Sequence, residues 1–272
     1  MANDNVITFL HMSDTHNMLS NALLDALPAA DVLLHTGDFT DIGKPDEYQK
    51  FNVCLGHAAA SGKWPRRVVI LGNHDVKQLS LPDRHADYER CAARLSNATH
   101  VPLHEVITID AQEEGVSLHL YGAPWWAGHT WDYCPKITLR GGQRDGARFY
   151  DIPTDEHAVH VIASHGPHFG HRDEADGVTG NHSGSNDLKD VLAKCPWVGL
   201  HAHGHIHEDR GTSQSGTTLV VNSAMKNRWG KRKLQFLPHL ITATATRDPL
   251  LNKVQWTFAA EEINVDLELG DF

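Results

Sequence analysis

Histidine occupies every second position from 201 to 207 in the stretch LHAHGHIHE. In an extended chain the side chains alternate between two faces, so these four imidazoles would point the same way. Neighbouring imidazoles repel each other when protonated and favour a shared cation. The pair His205 and His207 therefore suggests a metal site, although a solvated polar strand edge would look the same locally. His201 and His203 are expected to support such a site through structure or hydrogen bonds.

Four further motifs combine carboxylate, amide and imidazole side chains that can ligate a metal ion or move a proton. Each also has an ordinary structural explanation, because Ser-Asp and Gly-Asp sequences are typical of helix caps and turns. A lone histidine, likewise, is often a hydrogen-bonded polar residue of a core. The motifs and their candidate residues are SDTH with Asp14 and His16, GDFTD with Asp38 and Asp41, GNHD with Asn73 and His74, and SHG with His165.

Each of the five motifs follows a short apolar run that predicts a β-strand. These runs cover residues 6–12, 31–37, 67–72, 158–164 and 197–203. Helical patterns at 19–27 and 46–60 separate the first three, which predicts the order βαβαβ. Because ligands collect at the carboxyl ends of strands in open α/β sheets, we expect the five motifs to converge on one crevice. Further strands are predicted at 106–110, 116–122, 217–223 and 253–259, and a further helix at 186–195.

The composition predicts one globular domain over residues 1–272, since no linker or low-complexity tract divides the chain. A motif-bearing core covers residues 5–224, and residues 225–272 form a C-terminal extension without a recognisable motif. The net charge of −10 disfavours a general binder of nucleic acids or anionic membranes. The charge leaves the oligomeric state open.

Neither a basic leader sequence nor an apolar run long enough to span a membrane is present, which predicts a soluble, cytoplasmic protein. The cysteines point the same way, because they are widely spaced and form no CxxC pair, as expected of reduced thiols. They are Cys54, Cys91, Cys134 and Cys195.

In order, internal spacing and placement after strands, the five motifs resemble those of the calcineurin-like metallophosphoesterase superfamily, over residues 14–207. The segments SDTH, HTGDFTDIG, GNHD, YGAPWW, SHGP, HGHIHE and VNSA also resemble the small metallophosphoesterase-domain-containing proteins. The resemblance implies an α/β fold, a four-layer αββα sandwich whose two central mixed β-sheets are flanked by helices.

The resemblance also implies a site for two metal ions that share one carboxylate. Carried over by position, one ion has the ligands Asp14, His16 and His207, the other has Asn73, His165 and His205, and Asp38 bridges both. This mixture of oxygen and nitrogen ligands accepts manganese, iron, zinc, cobalt or nickel without a clear preference.

For such a site the resemblance implies hydrolysis of a phosphoester by in-line attack of a metal-bridging hydroxide. His74 is the candidate general acid for the leaving alkoxide, and Asp41 is expected to orient its imidazole. The ions leave a cationic centre in an acidic protein, so a small-molecule phosphoester is the expected substrate.

Related protein phosphatases continue the GDxxD motif with Arg-Gly, whereas here Ile42 and Gly43 follow Asp41. A monoester dianion commonly needs such an additional cation. The absence of this arginine favours an enzyme that hydrolyses phosphodiesters, including cyclic nucleotides. The alternative is a phosphomonoesterase or protein phosphatase. Other cations that could supply the charge are Arg172, Lys226 and Arg228.

Candidate substrate contacts lie in two places. Trp125 and Trp126 open the aromatic segment WWAGHTWDY, which either packs under a loop or offers a platform for an aromatic group. His168 and Arg172 are candidates for the rim of the site. The segment SHGPH departs from the HGPP pattern of close relatives, so substrate preference need not transfer.

Three other functional classes are weighed against this one. A metal-dependent binding or scaffold protein is disfavoured because every expected ligand and His74 are present. A metallo-β-lactamase-like hydrolase would carry HxHxDH early in the chain, and this motif is absent. A metal buffer is disfavoured because most of the 21 histidines are scattered outside the motifs.

Overall fold

A computed structural model describes residues 5–76, 84–124, 152–227, 234–247 and 253–263. Trp125, Trp126, Cys134 and Arg228 lie outside these ranges. The helices and strands in chain order are β1 (Val6–Met12), α1 (Asn21–Ala26), β2 (Val32–His35), α2 (Pro45–Ser61), β3 (Arg66–Val69), α3 (Arg84–Ala92), β4 (Glu105–Asp110), β5 (Ser117–Ala123), β6 (Val161–Ser164), α4 (Asn186–Lys194), β7 (Leu200–His203), β8 (Gly211–Ser215), β9 (Thr218–Asn222), β10 (His239–Arg247) and β11 (Val254–Glu262).

The strands form two mixed sheets. The five-stranded sheet has the order β11-β10-β1-β2-β3, in which β1, β2 and β3 are parallel and β10 and β11 run antiparallel to their neighbours. The six-stranded sheet has the order β4-β5-β6-β7-β9-β8, with β5, β6, β7 and β9 parallel. Each sheet therefore has a parallel part whose carboxyl ends lie at one edge.

Three apolar clusters separate four layers. Alternate residues of β1 serve different clusters, as expected of a strand buried on both faces: Phe9 packs between the two sheets and Leu10 packs against helices. The helix-side cluster contains Leu23 of α1 and Phe51 of α2. On the far face of the second sheet, Leu188 of α4 packs in a third cluster. The predicted four-layer αββα sandwich is confirmed.

Local signals explain where the helices begin and end. The Ser20 hydroxyl caps α1 by accepting from the Leu23 amide at 3.2 Å, and the Ser185 hydroxyl caps α4 in the same way at Leu188. Helix α2 begins with Pro45, whose missing N–H needs no partner in the first turn. These signals fix the first residues of the three helices.

The segment after residue 224 supplies two strands of the first sheet. Strand β10 pairs with β1 along its length, from Val6 opposite Thr244 to His11 opposite His239. Strand β11 then pairs with β10 and covers the predicted strand at 253–259. Strand β10 is not predicted by the sequence pattern, because small Ala and Thr residues give its alternation little hydrophobic contrast, although the buried positions do alternate.

Two further observations concern the helices and the cysteines. No helix among the described residues is both long and apolar enough to cross a membrane. Three cysteines in the described part of the chain are buried free thiols, namely Cys54, Cys91 and Cys195.

Candidate metal centre

The predicted site residues follow the carboxyl ends of parallel strands in both sheets. Asp14 comes after β1, Asp38 after β2 and Asn73 after β3, all in the first sheet. His165 follows β6 and His205 follows β7 in the second sheet. The two sheets are packed face to face, so these loops meet at one edge of the sandwich, as expected from the strand order.

The backbone turns sharply where these side chains enter the site. Four candidate ligands have positive φ angles, a left-handed conformation that non-glycine residues rarely adopt. Such strain persists only where the surrounding structure enforces it, and it is common at functional sites. The residues and angles are Asp14 (φ 55°), His16 (φ 41°), Asp38 (φ 55°) and His205 (φ 66°).

Two glycines let neighbouring loops approach the carboxylates closely. A Cβ atom at Gly72 would lie 2.2 Å from Asp38 Oδ1, and one at Gly204 would lie 2.2 Å from Asp14 Oδ2. Any side chain would therefore displace a carboxylate. The glycines in GNHD and GHIH are needed for contact between loops, not for flexibility.

One group of ligand atoms consists of Asp14, His16 and His207, whose nitrogen and oxygen atoms lie within 4.8 Å of one another. His207 Nε2 is 3.0 Å from Asp14 Oδ1, and His16 Nε2 is 4.0 Å from the same oxygen. The second Asp14 oxygen accepts from the His205 amide at 2.9 Å. This anchoring leaves Oδ1 directed at the two imidazoles.

A second group contains Asp38, His165 and His205. The Asn73 side-chain oxygen completes it, at 3.0 Å from His165 Nε2 and 2.9 Å from His205 Nδ1. Asp38 Oδ2 lies 3.4 Å from His165 Nε2 in this group and 3.9 Å from His16 Nε2 in the other. Asp38 is therefore the carboxylate that both groups share.

The protonation of these side chains suits a metal ion. Burial lowers the pKa of His16 to about 4 and that of His205 to about 3, so both rings are neutral at pH 7. Among the described residues His16 Nε2 is a buried nitrogen without a hydrogen-bond partner. His165 Nδ1 donates to the Thr36 carbonyl at 2.7 Å, which directs its other nitrogen at the site. The residues present thus fit a cation.

The carboxylates demand positive charge at this place. Burial alone would lower the pKa of His165, but Asp38 and Asp14 outweigh burial and raise that pKa to about 9. Facing imidazoles in turn hold the pKa of Asp14 and of Asp38 well below the usual range, against the effect of burial. A metal ion can supply the same positive charge that a proton on His165 supplies.

His74 stands at the mouth of the site, with about a third of its side chain exposed and Nε2 4.0 Å from Asp38 Oδ2. Its Nδ1 contacts the backbone carbonyl of Asp41. The Asp41 carboxylate instead lies 3.6 Å from His16 Nδ1. Asp41 thus reaches His74 through its main chain and not through its carboxylate. His74 also forms a potential ligand group with His16 and Asp38.

Asp75 has a structural role that the motif pattern did not indicate. Its buried carboxylate accepts the backbone amides of Asp38 and Gly72 at 2.8 Å and that of Thr40 at 2.9 Å. The Thr40 hydroxyl donates a fourth hydrogen bond at 2.8 Å. Asp75 therefore ties the GDFTD loop to the GNHD loop. Its position two residues after Asn73 was the only available signal.

Only part of LHAHGHIHE is a strand. Strand β7 ends at His203, and His207 begins a 3-10 turn over His207–Asp209. His201 and His203 are fully buried, and His203 Nδ1 donates to the Gly204 carbonyl. His205 and His207 enter the site from the loop, so the four imidazoles do not form one continuous extended row.

The described candidates for substrate contact are held by other groups. His168 is fully buried, with Nδ1 2.8 Å from His201 Nδ1, so its placement on the rim is wrong. The Arg172 guanidinium binds Asp209 at 3.1 Å and the Thr212 carbonyl at 2.8 Å. The Arg172 guanidinium therefore binds the segment that follows His207 in the chain. Trp125 and Trp126 lie outside the described residues.

Comparison with known proteins agrees with this geometry. The family model of calcineurin-like phosphoesterases matches residues 7–209. The UPF0046 protein C25E10.12 of Caenorhabditis elegans is 29% identical over 229 residues, covering 82% of this chain and 76% of that protein. Metallophosphoesterase domain-containing protein 1 of Homo sapiens is 30% identical over 227 residues, covering 80% of this chain. The chain spans 65% of the length of that human relative.

Proposed function

Since the chain belongs to the calcineurin-like phosphoesterase family, we propose that it is a metal-dependent phosphodiesterase acting on small phosphodiesters, with cyclic nucleotides as candidates. The observation that carries this proposal is the pair of ligand groups joined by Asp38. Metal ions held there would polarise the phosphoryl group and lower the pKa of a water molecule.

The protein side chains contribute orientation and proton transfer. Asp14 and Asp38 are each fixed by a backbone amide, from His205 at 2.9 Å and from His74 at 2.7 Å, so their free oxygens keep one direction. Because His74 Nδ1 is engaged with a carbonyl, Nε2 is the atom that can hold or deliver a proton at the substrate. We assign His74 as the general acid for the leaving oxygen.

The charged groups around the site support a diester substrate over a monoester. The charges that shift the pKa values of Asp14, Asp38 and His165 most strongly are those of imidazoles and carboxylates. Arg172, a candidate additional cation, is paired with Asp209. With Ile42 where protein phosphatases carry arginine, a phosphodiester monoanion suits the site better than a monoester dianion.

The test measures turnover by the 272-residue chain after separate reconstitution with manganese, iron, zinc, cobalt and nickel. Bis(p-nitrophenyl) phosphate and p-nitrophenyl phosphate form a matched pair with one leaving group, and 2′,3′- and 3′,5′-cyclic nucleotides extend it. We expect faster diester hydrolysis, which Asp38→Asn abolishes. Faster monoester hydrolysis would overturn the substrate class, and bound metal without turnover on either would favour a binding protein.

A further inference from the structure

A cavity of about 560 Å³ lies at the opposite end of two strands that lead to the metal centre. His160, in its wall, directly precedes β6, and Gly199 directly precedes β7. His165 and His205 follow the same strands. Extended chain rises about 3.3 Å per residue, so the stretch from His160 to His165 spans about 16 Å. A molecule in this cavity is out of reach of the metal ligands.

Aromatic side chains form much of the wall. Trp197, Trp256 and Phe258 line the cavity. Gly199 makes room for this arrangement, since a Cβ there would lie 2.5 Å from the Phe258 ring. The volume lies within the range of about 300–1,000 Å³ that small-molecule sites occupy, and such walls favour flat aromatic ligands.

One neutral hydrogen-bond donor belongs to the same wall, the imidazole of His160. The His119 amide donates to His160 Nδ1 at 3.0 Å, so this nitrogen carries a lone pair and the ring proton resides on Nε2. Burial lowers the pKa of His160 to about 4, which keeps the ring neutral at pH 7. The Nε2 N–H of His160 is therefore the donor that the wall offers to a ligand acceptor.

Charge in the wall argues against an anionic ligand. Neither lysine nor arginine lines the cavity in the part of the chain that the structure describes. The carboxylate of Glu156 lines it, but this carboxylate is largely exposed and paired with Lys253 at 3.0 Å. Without buried positive charge a phosphate group would lose its hydration and gain no partner. Because the Glu156 carboxylate is already paired, a cation would gain no partner either. The lining thus favours an uncharged occupant, which differs from the substrate class proposed for the metal centre.

We propose that this cavity binds an uncharged planar heteroaromatic molecule, which packs against the aromatic wall and accepts a hydrogen bond from His160. The proposal does not depend on phosphoester hydrolysis, because none of its residues belongs to the metal centre.

Calorimetric titration of the metal-loaded full chain with two probes tests the proposal. Quinazoline is a flat bicycle with two nitrogen acceptors, and naphthalene has the same shape without acceptors. We expect quinazoline to bind about fivefold more tightly, as one hydrogen bond to a neutral donor provides. His160→Phe keeps an aromatic ring in the wall but removes the donor, and should reduce this preference to less than about twofold.

Trp256→Phe is the matched control, because the Trp256 N–H already donates to the Ser117 carbonyl at 3.3 Å. It should retain the preference for quinazoline. Leu219→Trp fills the cavity from β9 and should abolish binding of both probes, with thermal unfolding confirming that each variant is folded. Equal affinity for the two probes, no binding by wild type, or quinazoline binding that survives Leu219→Trp unchanged would overturn the proposal.

Discussion

Buried histidines at the two ends of strand β6 have opposite protonation states at pH 7. At the carboxyl end, Asp38 and Asp14 outweigh burial and raise the pKa of His165 to about 9. At the amino end, burial lowers the pKa of His160 to about 4, and the neighbouring imidazoles of His119 and His157 add to the effect. Burial alone therefore keeps a histidine ring neutral, whereas nearby buried carboxylates stabilise a positive charge on the ring. One end of the strand suits cations and the other suits uncharged groups.

The largest effect that this contrast predicts is on catalysis at the carboxyl end. His74→Ala should slow hydrolysis of diesters with poor, alkyl leaving groups by about 10²- to 10⁴-fold, the usual contribution of a general acid. p-Nitrophenyl diesters need little protonation and should slow much less. The comparison is kcat for both substrates alongside metal content by mass spectrometry. Equal losses on both substrates, or loss of the ions, would contradict the assignment of His74.

The next effect concerns the loops that hold the carboxylates. Asp75→Ala leaves the amides of Asp38, Thr40 and Gly72 without their acceptor, so we expect the free energy of unfolding to fall by about 3–5 kcal/mol. Denaturant titration measures the change. Asp75→Asn retains one acceptor oxygen and should lose less. Wild-type stability in Asp75→Ala would show that the loops are held by other contacts.

At the amino end the expected effect depends on pH. The folded-state pKa of His160 is about 4 and the ordinary pKa of histidine is 6.5, so the unfolded chain binds a proton more readily between these values. Stability is full above pH 6.5 and is lost as the pH falls. Between pH 7 and pH 4 wild type should therefore lose about 3 kcal/mol more than His160→Asn, in which an amide oxygen replaces Nδ1. Parallel loss in both proteins would remove His160 as the cause.

The smallest effect is expected at an exposed histidine outside both ends. His57 of α2 lies 2.7 Å from the Asp25 carboxylate on α1, at the protein surface. Exposed ion pairs contribute about 0–1 kcal/mol, so His57→Ala should change the free energy of unfolding by less than about 1 kcal/mol. Turnover should stay at the wild-type level. A large loss of activity here would mean that histidine content in general, and not the placed ligands, determines function.

The sequence predicts the loops at the carboxyl ends of the parallel strands better than the rest of the fold. Ligand motifs stand directly after apolar runs, and parallel strands bring such positions together, so the convergence of Asp14, Asn73 and His165 follows from local patterns. Strand β10 was missed, because its buried Ala and Thr side chains are too small to mark a hydrophobic face.

Roles that depend on side-chain direction could not be derived from spacing. Asp75 binds amides of a loop more than thirty positions earlier, and a pattern cannot show which donors a buried carboxylate meets. His168 was a candidate for the rim of the site, yet its ring turns inward to His201. The aromatic cavity likewise joins β11 to the starts of β6 and β7, which only the packing of the two sheets brings together.

The central claim is that loops of both sheets hold two neighbouring metal ions through Asp38. Anomalous diffraction from crystals of the manganese-reconstituted protein tests it most directly. We predict two anomalous peaks, one among Asp14, His16 and His207 and one among Asn73, His165 and His205, with Asp38 in contact with both. A single peak, or two peaks that do not share Asp38, would contradict it.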